Sequence, residues 1–275
     1  MKDSPISPII DCHCHVIEPA RFPYRADTAY RPAGQEVAPL DSFERIMDAH
    51  GVRHALIVGT FSGYGVDLSP VLDALDRGAG RYKGIAVVDK SIAASDLALL
   101  RARGMVGIAL NTTLPDAGPE GGSKLMRKLA DLDMFLNLQV RNDDLLDVLP
   151  MIERSGVRLI VDHCGRPSPD RGLDRPGFKA LLALGRAGRA VVKLSGYGQF
   201  SQQRHPHADA WPFVAALLDA FTPDRLVWGS DWPFLRAAER IDYGPLIELA
   251  EHLLPDDARR KVFWDTPRAL FGFSP

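Results

Sequence analysis

The chain has 275 residues, 46% of them hydrophobic and 25% charged, with a formal net charge of -2, a composition that can bury a core and is not that of a disordered tail. Lys and Arg are scattered without a basic stripe, which argues against nucleic acid or an anionic membrane as partner, and no apolar run approaches the roughly 20 residues needed to cross a bilayer. Met1–Pro8 holds Lys2, Asp3 and two prolines with no apolar leader after it, and the cysteines Cys12, Cys14 and Cys164 are too few and too oddly spaced for a disulfide framework, so a cytoplasmic protein is expected.

Short β-rich apolar runs alternate with helix-length amphipathic stretches. Ile9–Val16 is the first predicted strand, followed by a helix over Leu40–His50. Ala55–Thr60 and Asp67–Arg77 form the next pair, then Gly84–Val88 with Ala94–Arg103, and Val106–Asn111 with Gly122–Leu132. Phe135–Val140 leads into Asp143–Ser155, Val157–His163 into Gly177–Arg186, and Ala190–Ser195 into Ala208–Phe221. Leu226–Ser230 is the eighth strand, with helices over Tyr243–Leu254 and Asp256–Leu270 behind it. Eight strands in strict alternation with helices predict a single α/β domain over residues 1–275, a closed parallel (β/α)8 barrel. An open doubly wound sheet is the alternative, but no glycine-rich phosphate turn follows the first strand. The segment Ile17–Pro39 is a long connection rich in Arg and aromatic residues, leaving the end of the barrel where active sites sit; it is expected to be a substrate lid.

The chemistry lies at the strand tips. Strand one ends Asp11-Cys12-His13-Cys14-His15, which at first sight resembles a zinc site. Period-two geometry separates it into two faces: Asp11, His13 and His15 are expected to look into the barrel, Cys12 and Cys14 to pack toward the helices. Strand six ends in His163 and strand eight in Asp231, each before a break at Gly or Pro. Alone, His163 would be a structural histidine and Asp231 a helix N-cap. Together with His13 and His15 they put three imidazoles and a carboxylate at one mouth, enough for a general base, an oxyanion stabiliser and a metal site.

The Asp-x-His-x-His of strand one, Asp162-His163-x-Gly-Arg-Pro on strand six and Trp228-Gly-Ser-Asp-Trp-Pro on strand eight resemble the amidohydrolase superfamily, and within it the lactonase-like branch. Phe22-Pro23-Tyr24, Tyr30-x-Pro32, Lys193-Leu-Ser-Gly and Asp265-x-Pro-Arg-x-Leu-Phe-Gly-Phe extend the likeness over nearly the whole chain. The resemblance implies a distorted barrel of the metallo-dependent-hydrolase type that opens a lactone of a small sugar acid or carboxylated ring compound. In that reading Asp231 takes a proton from water, and His13, His15 and His163 polarise the carbonyl and hold the oxyanion.

His13, His15 and Asp231 would supply the ligands if one divalent ion, such as zinc, were bound. The inward positions of strand four (Gly107, Ala109, Asn111) and strand five (Asn137, Gln139, Arg141) add no strong ligand, which removes a binuclear site, and the inward arginine disfavours a dication. A metal-free reaction is expected, with a single ion as the alternative.

The dicarboxylate lactonases that the chain resembles place arginines on strand four and just after strand seven, where this chain has Ala109 and Gln199. Because bidentate Arg–carboxylate contacts are hard to replace, a substrate with less negative charge is expected. Tyr30, Asn111, Gln139, Arg166, Gln199 and Trp232 are the candidate substrate-binding residues. Arg21, Arg25, Arg31, Arg141 and Arg204 remain as solvated loop residues or as partners for a single carboxylate. Lys193 faces inward by alternation and needs a partner; a structural ion pair with Asp11 is expected rather than a catalytic amine. The rival readings are a metal-dependent decarboxylase of an aromatic or unsaturated acid in the same superfamily and a non-catalytic binding barrel. The oligomeric state is open.

Overall fold

The computed structural model describes residues 8–112 and 119–275; the leader reading of Met1–Pro8 therefore falls almost wholly outside the described residues. The strands are β1 (Ile9–Cys14), β2 (Val52–Val58), β3 (Tyr82–Ala86), β4 (Met105–Asn111), β5 (Phe135–Gln139), β6 (Arg158–Val161), β7 (Ala190–Leu194) and β8 (Leu226–Trp228). They form one sheet in the order β1 to β8, every neighbouring pair parallel. The helices α1 (Leu40–Ala49), α2 (Ser69–Gly78), α3 (Ala94–Ala102), α4 (Pro119–Asp131), α5 (Leu145–Ser155), α6 (Pro176–Arg186), α7 (Trp211–Ala220) and α8 (Tyr243–Leu253) follow the strands in turn. This is the predicted (β/α)8 barrel, and each predicted strand overlaps an observed one.

The last predicted helix is interrupted. It runs as α9 (Asp256–Arg260), a π-helical turn over Lys261–Asp265, and α10 (Thr266–Phe271). Pro267 has no N–H to donate to the preceding turn, and the wider π turn accommodates that loss.

Ile10, Cys12, Leu56, Ile85, Phe135, Ile160, Val191 and Val227 fill the barrel interior, and Trp264, Phe271 and Phe273 close its N-terminal end. Each of the Ile, Leu, Val and Phe side chains among them contributes about 1.5–3 kcal/mol through burial. With the floor sealed, only the C-terminal mouth is open to chemistry.

The seam between β1 and β8 sets the geometry of that mouth. Residues just beyond β8 close it: the Asp231 N–H donates to the His13 carbonyl at 2.8 Å and the His15 N–H to the Trp232 carbonyl at 2.8 Å. The register of β1 against β2 shifts between Asp11 and Cys14, a β-bulge that breaks the expected alternation. Cys12 consequently faces the interior cluster, while Asp11 turns to the seam, where its carboxylate accepts the Tyr243 hydroxyl of α8 at 2.8 Å. The expectation for Asp11 and Cys12 is thereby reversed. His13 and His15 still face the mouth, and Cys14 packs on the helix side.

Candidate active site

His13 and His15 from the end of β1, His163 from the turn after β6 and Asp231 from the turn after β8 converge on one cavity of about 440 Å³. Asp231 Oδ1 lies 3.7 Å from His13 Nε2, 3.9 Å from His15 Nε2 and 3.8 Å from His163 Nε2. His13 and His163 rings sit 4.5 Å apart between centroids. Two of these residues occupy left-handed backbone, His163 at φ 51° and Asp231 at φ 65°, a strain that persists at sites whose surroundings over-determine it.

Close approach of the chain makes the convergence possible. Gly229 underlies His13: a Cβ there would stand 2.8 Å from both the His13 backbone nitrogen and its Cβ. Gly196, at φ +57°, underlies His163, and a Cβ would meet its Nδ1 at 2.3 Å. Gly229→Ala should therefore push β1 away from the β8 turn and lower kcat/KM about 100-fold, the order expected for ångström-scale misplacement of a reacting group. Steady-state kinetics beside an unchanged far-ultraviolet circular dichroism spectrum checks this; a loss under threefold would show that the turn absorbs the methyl group.

The far side of each imidazole is held. His15 Nδ1–H donates to the Val58 carbonyl at 2.7 Å, so its Nε2 presents a lone pair to the cavity. His163 Nδ1 is 3.0 Å from Ser195 Oγ. His13 Nδ1 meets Asp162 Oδ1 at 3.2 Å and Lys193 Nζ at 3.2 Å. Lys193 is fully buried, and its ion-pair partner is Asp162 at 3.1 Å, not Asp11; the bulge has turned Asp11 out of reach. Asn137 Nδ2 donates to the other Asp162 oxygen at 2.6 Å.

Burial governs the electrostatics. It pushes Asp231 up to about 6, against the pull of the Gln199 amide, which donates to Oδ2 at 3.2 Å. Burial pushes His15 down to about 3 and holds His163 well below the usual histidine range. Burial alone would raise Asp162; the Lys193 ammonium outweighs it and keeps the carboxyl well below its ordinary range. The centre thus pairs a carboxylate poised near neutrality with two imidazoles, His15 and His163, that stay uncharged.

Of the candidate substrate residues, Asn111, Gln139, Arg166 and Gln199 line the cavity, as do Ala109 and Arg141. Trp232 does not: it stacks on Phe43 of α1, centroids 4.8 Å apart, because the chain reverses at Asp231. Tyr30 lies outside the lining too. Its hydroxyl donates to Glu36 at 2.6 Å, and the Arg236 guanidinium stacks over its ring at 4.3 Å. Glu36 also accepts the Arg236 N–H at 2.6 Å. No residue of the long segment 17–39 lines the cavity; instead of a lid, the segment braces the β8 loop. Arg21, Arg25 and Arg204 pair at the surface with Asp73, Asp27 and Glu239, and Arg31 donates to the Ala26 carbonyl.

Arg236 lines the cavity and was not legible in the sequence. It sits five positions past Asp231 in an irregular turn at φ 60°, where no periodicity assigns a direction. Arg166 is buried, its Nε has no partner among the described residues, and burial together with the nearby Arg141 guanidinium lowers it from the usual arginine range.

His13, His163 and Asp231 offer ligand atoms within 4.8 Å of one another, so His163 takes the place expected for His15 in a three-ligand set. These distances suit one divalent ion. The donor chemistry does not: a buried ammonium stands 3.2 Å from the far ring nitrogen of one ligand, and a like charge directly behind a ligand opposes a dication.

A sealed barrel with a histidine–carboxylate centre at its C-terminal mouth is the architecture of a hydrolytic enzyme. The chain belongs to the amidohydrolase family, whose model matches residues 10–273. A 4-sulfomuconolactone hydrolase of Rhizobium radiobacter is 30% identical over 271 residues, covering 95% of this chain and 89% of that protein. A 2-pyrone-4,6-dicarboxylate hydrolase of Comamonas testosteroni is 26% identical over 277 residues, covering 95% of this chain and 89% of its own. The crystal structure of a probable 2-pyrone-4,6-dicarboxylic acid hydrolase from Acinetobacter baumannii with citric acid bound superposes with a TM-score of 0.87 at 26% identity, covering 96% of this chain and 99% of that one.

Proposed function

We propose that the chain opens a small lactone by general-base hydrolysis at Asp231. The observation that carries this reading is the position of Asp231 Oδ1, 3.7–3.9 Å from the Nε2 atoms of three histidines in a cavity of substrate size. Water lies between Asp231 and His15: it gives one proton to the carboxylate and donates the other as a hydrogen bond to His15 Nε2, whose lone pair is free because Nδ1–H is spent on Val58. His15 therefore orients the nucleophile, a different role from the oxyanion contact that the resemblance implied. The hydroxide adds to the lactone carbonyl, and His13 and His163 face the developing oxyanion. Collapse breaks the ring C–O bond, and protonated Asp231 returns its proton to the leaving oxygen. One water is consumed and a hydroxy acid released. A divalent ion on His13, His163 and Asp231 would supply Lewis-acid polarisation of the carbonyl, and no step above requires it.

The substrate is a lactone with one anionic group. Ala109 and Gln199 line the cavity without charge, whereas Arg141 and Arg166 meet there with no carboxylate ion pair among the described residues. Both relatives described above act on lactone-type rings by their names, which supports hydrolysis over decarboxylation. A panel of sugar lactones, muconolactones and pyrone carboxylates, assayed with and without chelator, tests this. Monoanionic lactones are expected to give kcat/KM at least about tenfold above dicarboxylated pyrones, unchanged by chelator. Carbon dioxide release from an unsaturated acid, restored by zinc after chelation, would replace the reading with decarboxylation.

A further inference from the structure

Lys193 is a fully buried cation that the hydrolytic steps leave unused, and it touches a residue that they do use. Its Nζ has two acceptors in reach among the described residues, Asp162 Oδ1 at 3.1 Å and His13 Nδ1 at 3.2 Å. Nδ1 and Oδ1 are themselves 3.2 Å apart, so three atoms form a triangle with one ambiguous member. The second Asp162 oxygen is occupied by Asn137.

Counting protons resolves the ambiguity. A lysine ammonium carries three N–H donors and no acceptor, and a neutral imidazole carries one N–H and one lone pair. If Nδ1 held the His13 proton, Asp162 Oδ1 would be the sole acceptor shared by Lys193 and His13, and two donors would face each other at 3.2 Å. If Nδ1 holds the lone pair, Lys193 donates to both Oδ1 and Nδ1, and a fully buried ammonium gains a second acceptor. Unmatched buried donors cost about 1–3 kcal/mol each, which favours the arrangement that gives the ammonium its second acceptor.

We propose that Lys193 is a positioning residue that holds His13 in the tautomer with the proton on Nε2, making His13 a hydrogen-bond donor toward the substrate oxyanion. The ring nitrogen that faces the cavity sets what the site can do. An Nε2–H aimed at Asp231 Oδ1, 3.7 Å away, donates to an oxygen placed between them; the same proton blocks Nε2 from ligating a metal. Lys193 thereby commits a centre whose distances suit a divalent ion to hydrogen-bond catalysis. The catalytic consequence rests on the proposed hydrolysis, but the tautomer does not.

Long-range ¹H–¹⁵N correlation spectra of the ¹⁵N-histidine-labelled protein read the tautomer directly, with His13 signals identified by their loss in His13→Gln. The expected wild-type pattern is an unprotonated Nδ1 and a protonated Nε2. In Lys193→Met the pattern should reverse, since Nδ1–H can then donate to Asp162. Zinc affinity, measured by titration calorimetry, should rise at least about tenfold, and kcat should fall about 100-fold with KM within threefold. A protonated Nδ1 in the wild type overturns the proposal, and this arm needs no variant of Lys193. An unreversed pattern in folded Lys193→Met overturns it as well. Absence of lactonase activity alongside the expected spectrum would strike the proposed function and leave the tautomer assignment standing.

Discussion

Asp231→Asn is expected to lower lactone turnover by 10²- to 10⁴-fold, the usual contribution of a general base, and to make the folded chain more stable at pH 7.5. Burial pushes the Asp231 carboxyl up to about 6, so ionising it costs more in the folded chain than in the unfolded one. A rise from the ordinary value to about 6 corresponds to about 3 kcal/mol. The sign is that of a raised group: below the unfolded value both states bind the proton and there is no penalty, and the penalty grows as pH rises to about 6 and is constant beyond. The amide keeps the shape and carries no charge. Thermal melts of wild type and variant should coincide near pH 3.5 and separate in favour of the variant by pH 7. In the wild type, kcat/KM should fall as pH drops through about 6, where the base becomes protonated. Equal turnover in Asp231→Asn would remove the carboxylate from the mechanism.

Asp11→Ala is expected to destabilise the barrel by about 3–5 kcal/mol, because it strands several buried donors at once. The carboxylate accepts the Ser230 N–H at 2.9 Å, the Ser230 hydroxyl at 2.6 Å, the Tyr243 hydroxyl at 2.8 Å and the His13 N–H at 3.1 Å. These contacts tie the bulge of β1 to the turn after β8 and to α8, across the seam where the first and last strands meet. His13 and Asp231 stand immediately beyond that seam, so surviving protein should also lose activity. Urea unfolding with an unchanged slope and a lower midpoint measures the effect. A change under about 1 kcal/mol would mean that the seam is held by the backbone bonds of Asp231 and His15 alone.

The barrel and the side chains that meet at its mouth were legible because both depend on local pattern. Strand six passes from Leu159, Ile160 and Val161 to His163, and strand eight from Val227 and Trp228 to Asp231; a polar tip on an apolar strand marks the catalytic mouth whatever the partner strands do. Ala109, Asn137, Gln139 and Lys193 face inward as the period of two requires. The same rule failed at Asp11 and Cys12, where a bulge inserts a residue out of phase. It also could not place Tyr30 or Trp232, since loop side chains follow no period.

By itself, then, the amino-acid order determined the alternating architecture, the end that carries the polar strand tips, and the convergence of His13, His15, His163 and Asp231 on one mouth. These follow from backbone geometry and apolar burial, which act over a few residues at a time. The tertiary structure decided that Asp11 locks the seam, that Asp162 and not Asp11 pairs with Lys193, that Tyr30 and Glu36 brace Arg236, and that Arg236 reaches the cavity. Each of these depends on a contact between segments distant in the chain, 219 positions apart for Asp11 and Ser230, and such contacts exist only once the ends of the sheet have met.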